Sequence, residues 1–133
     1  NLEFSKKPKI YFEEWFEPLI YSIQWVSEII EICGGKNLHD PKSIKSLASD
    51  RIIKNDNIII NFNPDIILVS WCGKKFKKDK MIKRKGWNSI NAIKNNNIYE
   101  IESSVILQPG PAALTDGLKI VYNIINKWNQ QNR

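Results

Sequence analysis

A continuous apolar run, Ile66-Ile67-Leu68-Val69, is the strongest indication of the fold in this sequence. Turn-forming residues bound it on both sides, with Asn63-Pro64-Asp65 before it and Ser70 after it. A strand that is apolar at every position is buried on both faces, which is typical of a parallel sheet covered by helices. The run therefore predicts a buried parallel strand over residues 65–70.

Strand-like and helix-like segments alternate along the rest of the chain. Short β-branched and aromatic runs predict two more strands, at residues 9–13 and 98–101. Apolar residues at helical spacing predict helices at residues 22–33 and 112–127. Shorter helices are expected at residues 55–61, 78–84 and 88–94, the first two bounded by capping or helix-breaking residues. Irregular structure is expected at residues 15–21, 35–50 and 103–111. The alternation predicts an α/β domain with a mainly parallel sheet.

The charge of the chain is concentrated in one segment. Residues 74–85, here called the basic segment, contain eight basic residues and one acid, a local charge of +7 in a chain whose formal charge is +6. Such a segment can bind nucleic acid, lie against anionic lipid headgroups, or simply form a solvated helix face. Because a single aromatic residue interrupts it and no nucleic-acid motif accompanies it, we expect a solvated face and no nucleic-acid partner.

Length and composition exclude several other classes. The 133 residues suit one domain, and no apolar run reaches the length of a membrane helix. Two cysteines and a single histidine are too few for a disulfide framework or a zinc cluster. We expect His39 at the surface and Cys33 in the core. Neither a glycine-rich dinucleotide fingerprint nor a phosphate-binding loop is present, so no cofactor is expected.

Candidate binding residues follow the predicted strands. Glu13, Glu14 and Trp15 follow the first strand, Trp71 follows the second, and Gln108 lies in the loop after the third. Because ligands of open α/β sheets bind beyond the carboxyl ends of the strands, this rim suits a large, partly planar, hydrogen-bonding ligand. The alternative is that both tryptophans cover the sheet end and the carboxylates are solvated. Adjacent residues point to opposite faces, so the two glutamates are not an acid/base pair.

Cys72 is the strongest candidate for chemistry. A lowered pKa, with Lys74 and Lys75 nearby, would make its thiol a nucleophile. Such a residue would suit a small cytosolic Rossmann-like enzyme. No second histidine is present to act as its base, so we expect a structural or ligand-lining thiol and no enzymatic activity.

Several motifs together resemble the second lobe of ABC-transporter substrate-binding proteins of the cobalamin and iron–siderophore type. The resemblance covers residues 8–128. Its most specific runs are Glu13-Glu14-Trp15, the SWCGKK sequence at residues 70–75 and the LQPGPAALTDGL sequence at residues 107–118. An Asn-Pro-Asp triplet before the apolar strand, at residues 63–65, is a less specific match.

This resemblance implies a non-enzymatic receptor with a class III periplasmic-binding-protein fold, whose two three-layer Rossmann-like lobes are joined by one long helix. Residues 1–7 would be a linker or the end of that helix, and residues 8–133 the C-terminal lobe. The receptor would hold a corrinoid or ferric-siderophore chelate between this lobe and a preceding one. It would deliver the chelate to an ABC permease. Its place would be periplasmic or extracellular, on the outer side of the cytoplasmic membrane, held there by the permease or a lipid anchor.

The resemblance also implies site residues. Ligand contacts carried over by motif are Glu14, Trp15, Arg51, Trp71, Ser104 and Gln108; Trp25, Cys72 and Lys74 are expected at the same cleft. Arg51 would suit a carboxylate, amide or phosphate of the ligand, and its alternative is a surface arginine paired with Asp50. The acidic residue that docks on the permease falls at Asn57, where the acid is absent, so the adjacent Asp56 is the candidate for that role.

Overall fold

A parallel sheet forms the centre of the molecule in the computed structural model, which describes residues 6–38, 51–72, 74–108, 110–111 and 113–132. Within those residues the sheet has four strands in the order β2-β1-β3-β4. They are β1 (Lys9–Glu13), β2 (Lys36–Asn37), β3 (Ile66–Val69) and β4 (Ile98–Glu100). The predicted α/β class and the three predicted strands are confirmed. His39 and Asp50 lie outside the described residues, as do the expectations that concern them.

The register brings the carboxyl ends of the strands to one edge. Glu13 of β1 lies opposite Val69 of β3, and Val69 lies opposite Glu100 of β4. The segments after β1, β3 and β4 therefore start side by side, as the sequence predicts. The two-residue strand β2 was not predicted, because Lys36 and Asn37 form no apolar or alternating run and follow a pair of glycines.

Helices connect the strands on both faces. Their bounds are α1 (Gln24–Ile32), α2 (Asn57–Phe62), α3 (Lys78–Ile82), α4 (Asn91–Lys94), α5 (Ser103–Ile106) and α6 (Leu118–Gln131). The predicted helix at residues 88–94 is instead a 3-10 turn at Trp87–Ser89 followed by α4. A π-helical turn, Ala113–Gly117, leads into α6. The loop predicted at residues 103–111 was wrong in part, because α5 forms one helical turn there.

Two separate cores cover the two faces of the sheet. Alternate residues of β1 divide between them: Ile10 and Phe12 pack with α1 and α6, whereas Tyr11 packs with Met81 and Trp87 on the other face. β3 divides in the same way, and all four of its residues are fully buried. This confirms the three-layer arrangement of helices, sheet and helices. None of the helices in the described ranges combines the length and the apolar character that crossing a bilayer requires.

Two isoleucines of α1 give a matched test of this core. Ile30 is fully buried against the sheet, whereas Ile32 is 72% exposed. We expect Ile30→Ala to lower the free energy of unfolding by about 2–5 kcal/mol, because it removes buried methylenes and leaves a cavity. Ile32→Ala should change it by less than about 0.5 kcal/mol. Urea unfolding followed by circular dichroism measures both, and equal losses would contradict the assigned helix face.

Candidate ligand-binding site

The carboxylate of Glu13 is the central polar group at the carboxyl edge of the sheet. It is fully buried and accepts hydrogen bonds from three side chains. Tyr11 Oη and Trp71 Nε1 donate to it over 2.9 and 2.7 Å. Arg84 donates from both terminal nitrogens, over 2.6 and 3.2 Å. Burial raises the pKa of Glu13, and these donors, Arg84 above all, partly offset that rise. Glu13 therefore points into the protein and is not available to a ligand.

The ion pair with Glu13 corrects the expectation that the whole basic segment faces solvent. Arg84 is half-buried, pairs with Glu13 and donates a further hydrogen bond to the carbonyl oxygen of Phe16, over 2.9 Å. Met81, in the same segment, is fully buried. The Met81 face of α3 therefore packs on the sheet, and Arg84, two residues beyond the end of the helix, turns inward to Glu13.

Trp71 is buried beneath two other aromatic rings. Only 5% of the residue is exposed, and its ring makes edge contacts with Phe16 and Phe76, at centroid distances of 5.0 and 4.9 Å. Its indole N–H is used by Glu13. In this conformation Trp71 covers the end of the sheet, which is the alternative that the sequence left open for it. Its contact with a ligand stays a prediction.

Trp15 lies at the surface, beside a pocket at the same edge. It is 39% exposed and lines a cavity of about 350 Å³ together with Phe16, Glu17, Cys72 and Lys74. The structure thus brings together three of the residues predicted for the site, Trp15, Cys72 and Lys74. An exposed indole beside a thiol and an ammonium group can bind a flat, partly polar molecule.

Glu14 and Arg51 form a second buried ion pair at this edge. Arg51 Nη1 lies 2.9 Å from Glu14 Oε1 and 2.7 Å from the carbonyl oxygen of Tyr21, and both charged side chains are more than nine-tenths buried. Burial raises the pKa of Glu14, and Arg51 opposes that rise. Arg51 is therefore not the exposed arginine of the alternative. In this conformation the pair fixes the loop after β1, and the ligand contacts predicted for both residues stay predictions.

The remaining predicted contacts lie on the opposite face of the sheet. Trp25, in the first turn of α1, is half-buried and donates its indole N–H to the carbonyl oxygen of Ile106, over 3.0 Å. That bond ties α1 to α5. Ser104 of α5 and Gln108 just after it are exposed. These two side chains are accessible to a ligand at the carboxyl edge, and Trp25 fixes the backbone that carries them.

The two docking candidates differ in their surroundings. Asp56 is half-buried at the start of α2 and accepts the indole N–H of Trp87 over 2.8 Å, whereas Asn57 is exposed. Asp56 also lines a cavity of about 510 Å³ with Glu17, Lys54 and Arg84 among its other walls. The side of the pocket where Asp56 lies is thus open and partly polar.

The environment of Cys72 opposes a role as nucleophile. The thiol is partly buried, and burial raises its pKa, with a further increase from the Glu14 carboxylate. A nucleophilic cysteine requires the reverse, because the thiolate is the reactive form. The arrangement favours a thiol that lines the pocket.

Three residues of this region were missed at the sequence level: Phe16, Lys80 and Arg84. The nitrogens of Lys74 and Lys80 lie 4.5 and 5.8 Å from the centroid of the Phe16 ring, and the guanidinium carbon of Arg84 lies 5.0 Å from it. The sequence does contain a pattern that indicates the two cations. Lys77, Lys80 and Arg84 are three and four residues apart, the spacing that puts cations on one helical face.

An α/β lobe with its candidate pocket beyond the carboxyl ends of a parallel sheet has the architecture of a solute-binding domain. The model of the family described as periplasmic binding protein matches residues 2–105. The chain belongs to this family.

Individual relatives agree with this assignment. The chain is 27% identical over 113 residues to an uncharacterized ABC transporter substrate-binding lipoprotein, YvrC of Bacillus subtilis, covering 80% of this chain and 32% of that one. It is 29% identical over 83 residues to the high-affinity heme uptake system protein IsdE of Staphylococcus aureus, covering 59% and 27%. The chain thus spans about a third or less of the length of these two relatives.

Solved structures show a similar fold. A possible iron-binding, periplasmic solute-binding protein from Staphylococcus epidermidis matches with a TM-score of 0.65 and 29% identity, over 90% of this chain and 45% of that one. The structure of IsdE complexed with heme matches with a TM-score of 0.67 and 23% identity, over 90% and 48%. At that lower identity the match concerns the fold alone.

The Glu13–Arg84 pair gives a test of the scaffold under the site. We expect Arg84→Met to lower the free energy of unfolding by about 3–5 kcal/mol, because it leaves a buried carboxylate without its counter-charge. The loss should shrink as the pH falls, because protonation of Glu13 removes the unpaired negative charge. Burial raises the pKa of Glu13 in the folded protein, so this protonation begins at a higher pH than in the unfolded chain. Urea unfolding over a pH series measures this.

Two variants control that measurement. Lys85→Met removes the exposed charge of the residue next to Arg84. It should change the free energy of unfolding by less than about 0.5 kcal/mol. The double variant Glu13→Gln with Arg84→Met should lose less than the sum of the two single variants. Additive losses would mean that the two side chains do not act as a pair.

Proposed function

We propose that this chain is the C-terminal lobe of the substrate-binding component of an ABC importer. Its ligand in this proposal is a metal chelate, either a corrinoid such as cobalamin or a ferric siderophore, with haem as the third candidate. A preceding α/β lobe supplies the other wall of the cleft. The protein acts outside the cytoplasmic membrane and performs no chemistry on its ligand.

The exposed indole of Trp15 is the observation that carries the ligand class. It lies beyond the end of β1, beside the pocket that Cys72 and Lys74 also line. Trp71, which bears the other indole at this edge, is buried and braces the loop instead. An exposed tryptophan on a rigid strand end offers a flat apolar surface, which suits the face of a corrin, porphyrin or catecholate.

The family assignment and the lengths of the relatives support the two-lobed receptor. Both sequence relatives are much longer than this chain, and one is a heme uptake protein by name. The exposed Ser104 and Gln108 lie on the other face of the same sheet edge. A ligand that covers this edge from Trp15 to Gln108 would be large, as the metal chelates are.

Tryptophan fluorescence of the full-length protein tests the ligand class. Titration with cyanocobalamin, ferric siderophores and haem should produce saturable quenching by at least one of them, with micromolar or tighter affinity. Trp15→Ala should weaken binding about two- to twelvefold, the range expected for losing one aromatic stacking contact. The matched variant Trp128→Phe changes a half-buried tryptophan far along α6 and should leave affinity unchanged. No quenching by any of the three chelates would refute the ligand class.

A second pair of variants tests docking on the permease. In our proposal Asp56 presents its carboxylate to permease arginines, in place of the acid expected at Asn57. Asp56→Asn keeps an oxygen acceptor for Trp87 and removes the charge. We expect it to slow association with the permease in lipid nanodiscs and to reduce its salt dependence, with chelate affinity unchanged.

The neighbouring position supplies the control. Asn57→Asp adds the acid at the position implied by the resemblance, and should speed association if both positions face the permease. If Asp56→Asn has no effect on association, the docking role of Asp56 is wrong. Surface plasmon resonance at two salt concentrations measures all three proteins.

A further inference from the structure

Two lysine ammonium groups converge on one aromatic ring at the pocket beside Trp15. Lys74 Nζ lies 4.5 Å and Lys80 Nζ 5.8 Å from the centroid of Phe16, and Lys74 also lines the pocket. They come from different segments, since Lys74 follows β3 and Lys80 belongs to α3. The fold therefore brings like charges together that the sequence places six residues apart.

Among the described residues, no ion pair relieves the repulsion between these two ammonium groups. The Lys74 ammonium lowers the pKa of Lys80, and Lys77 adds to the effect. Asp79 opposes it without restoring the ordinary value. In the part of the chain that the structure describes, neither Lys74 nor Lys80 lies within ion-pair distance of a carboxylate.

The third cation at the ring has a different role. Arg84 is committed to the buried Glu13 carboxylate and to the carbonyl oxygen of Phe16. It thereby fixes the position of Phe16, whose ring lies close to both lysine ammonium groups. Arg84 adds positive potential at the ring, whereas the exposed Glu17, which also lines the pocket, opposes it. Both lysines are exposed and can be reached by a bound molecule.

We propose that Lys74 and Lys80, held over Phe16 at the mouth of the pocket lined by Trp15, form an oxyanion subsite that takes a carboxylate or phosphate group of the bound molecule. A group of that kind would sit between the two ammonium groups and relieve their repulsion. The subsite rests on the proposed function for the identity of the molecule that carries the oxyanion. It assigns to that molecule an acidic substituent next to the flat face that contacts Trp15.

NMR titration of the lysine ammonium groups of the full-length protein tests this subsite. Citrate and inorganic phosphate are the probes. Without them Lys80 should titrate below the ordinary pKa of lysine. Saturating citrate or phosphate should raise that pKa, because a bound anion favours the protonated ammonium. Lys74→Gln should abolish most of the initial lowering and weaken citrate binding about two- to fivefold, the range for one exposed charge contact.

Lys85→Gln is the matched control, because it removes an exposed charge from the same basic segment. It should leave both the pKa of Lys80 and its response to citrate unchanged. An equal loss of citrate affinity in the Lys74→Gln and Lys85→Gln proteins would mean that citrate responds to the overall positive charge of the segment. That result would overturn the proposal.

Phosphatidylglycerol vesicles, with phosphatidylcholine vesicles as their neutral reference, separate a soluble ligand from a membrane. If Lys80 responds to the anionic vesicles but not to citrate or phosphate, the lysines bind headgroups and the proposal is wrong. These readings do not depend on binding of any chelate. Failure of the oxyanion subsite and failure of the proposed function are therefore distinguishable.

Discussion

The buried carboxylate of Glu13 is the constraint on which this edge of the structure depends. A fully buried charge is tolerated only when it is paired and hydrogen-bonded, and Glu13 uses three side chains to achieve this. Each donor comes from a different place: Tyr11 from the same strand, Trp71 from the end of β3 and Arg84 from the end of the basic segment. One carboxylate thereby joins three segments that are up to 73 residues apart in the chain.

The consequence is a rigid floor under a candidate binding surface. With its indole N–H held by Glu13, Trp71 packs under Phe16 and Phe76, and Phe16 in turn carries the cations above it. The second ion pair, Glu14 with Arg51, holds the loop after β1 in the same way. Buried ion pairs add little net stability compared with apolar packing. Here they fix loops that a binding protein needs to keep in one place, so that Trp15 and Lys74 are presented together.

The two glutamates after β1 show how local pattern and tertiary role diverge. Strand alternation predicts that the two side chains point in different directions. Glu13 shares the face of Tyr11 and bonds to it, while Glu14 lies beyond the strand and pairs with Arg51. Their position after a strand also predicts both at a ligand rim, because carboxylate side chains are usually solvated. Only the positions of Arg84 and Arg51, which come from distant segments, reveal that both charges are neutralised internally.

The amino-acid sequence predicts the α/β class and three of the four strands in the described part of the chain. Alternating apolar strands and helices, and a β3 that is apolar throughout, define the parallel sheet and the edge at which its loops meet, because periodicity is a local property of the chain. Tertiary structure alone decided which residues of that edge are available. Trp15 is exposed and Trp71 buried although both follow strands, and Arg84 turns inward from a segment that is otherwise basic and exposed. The physical reason is that burial of a charge or an indole depends on partners contributed by other segments, which no local pattern specifies.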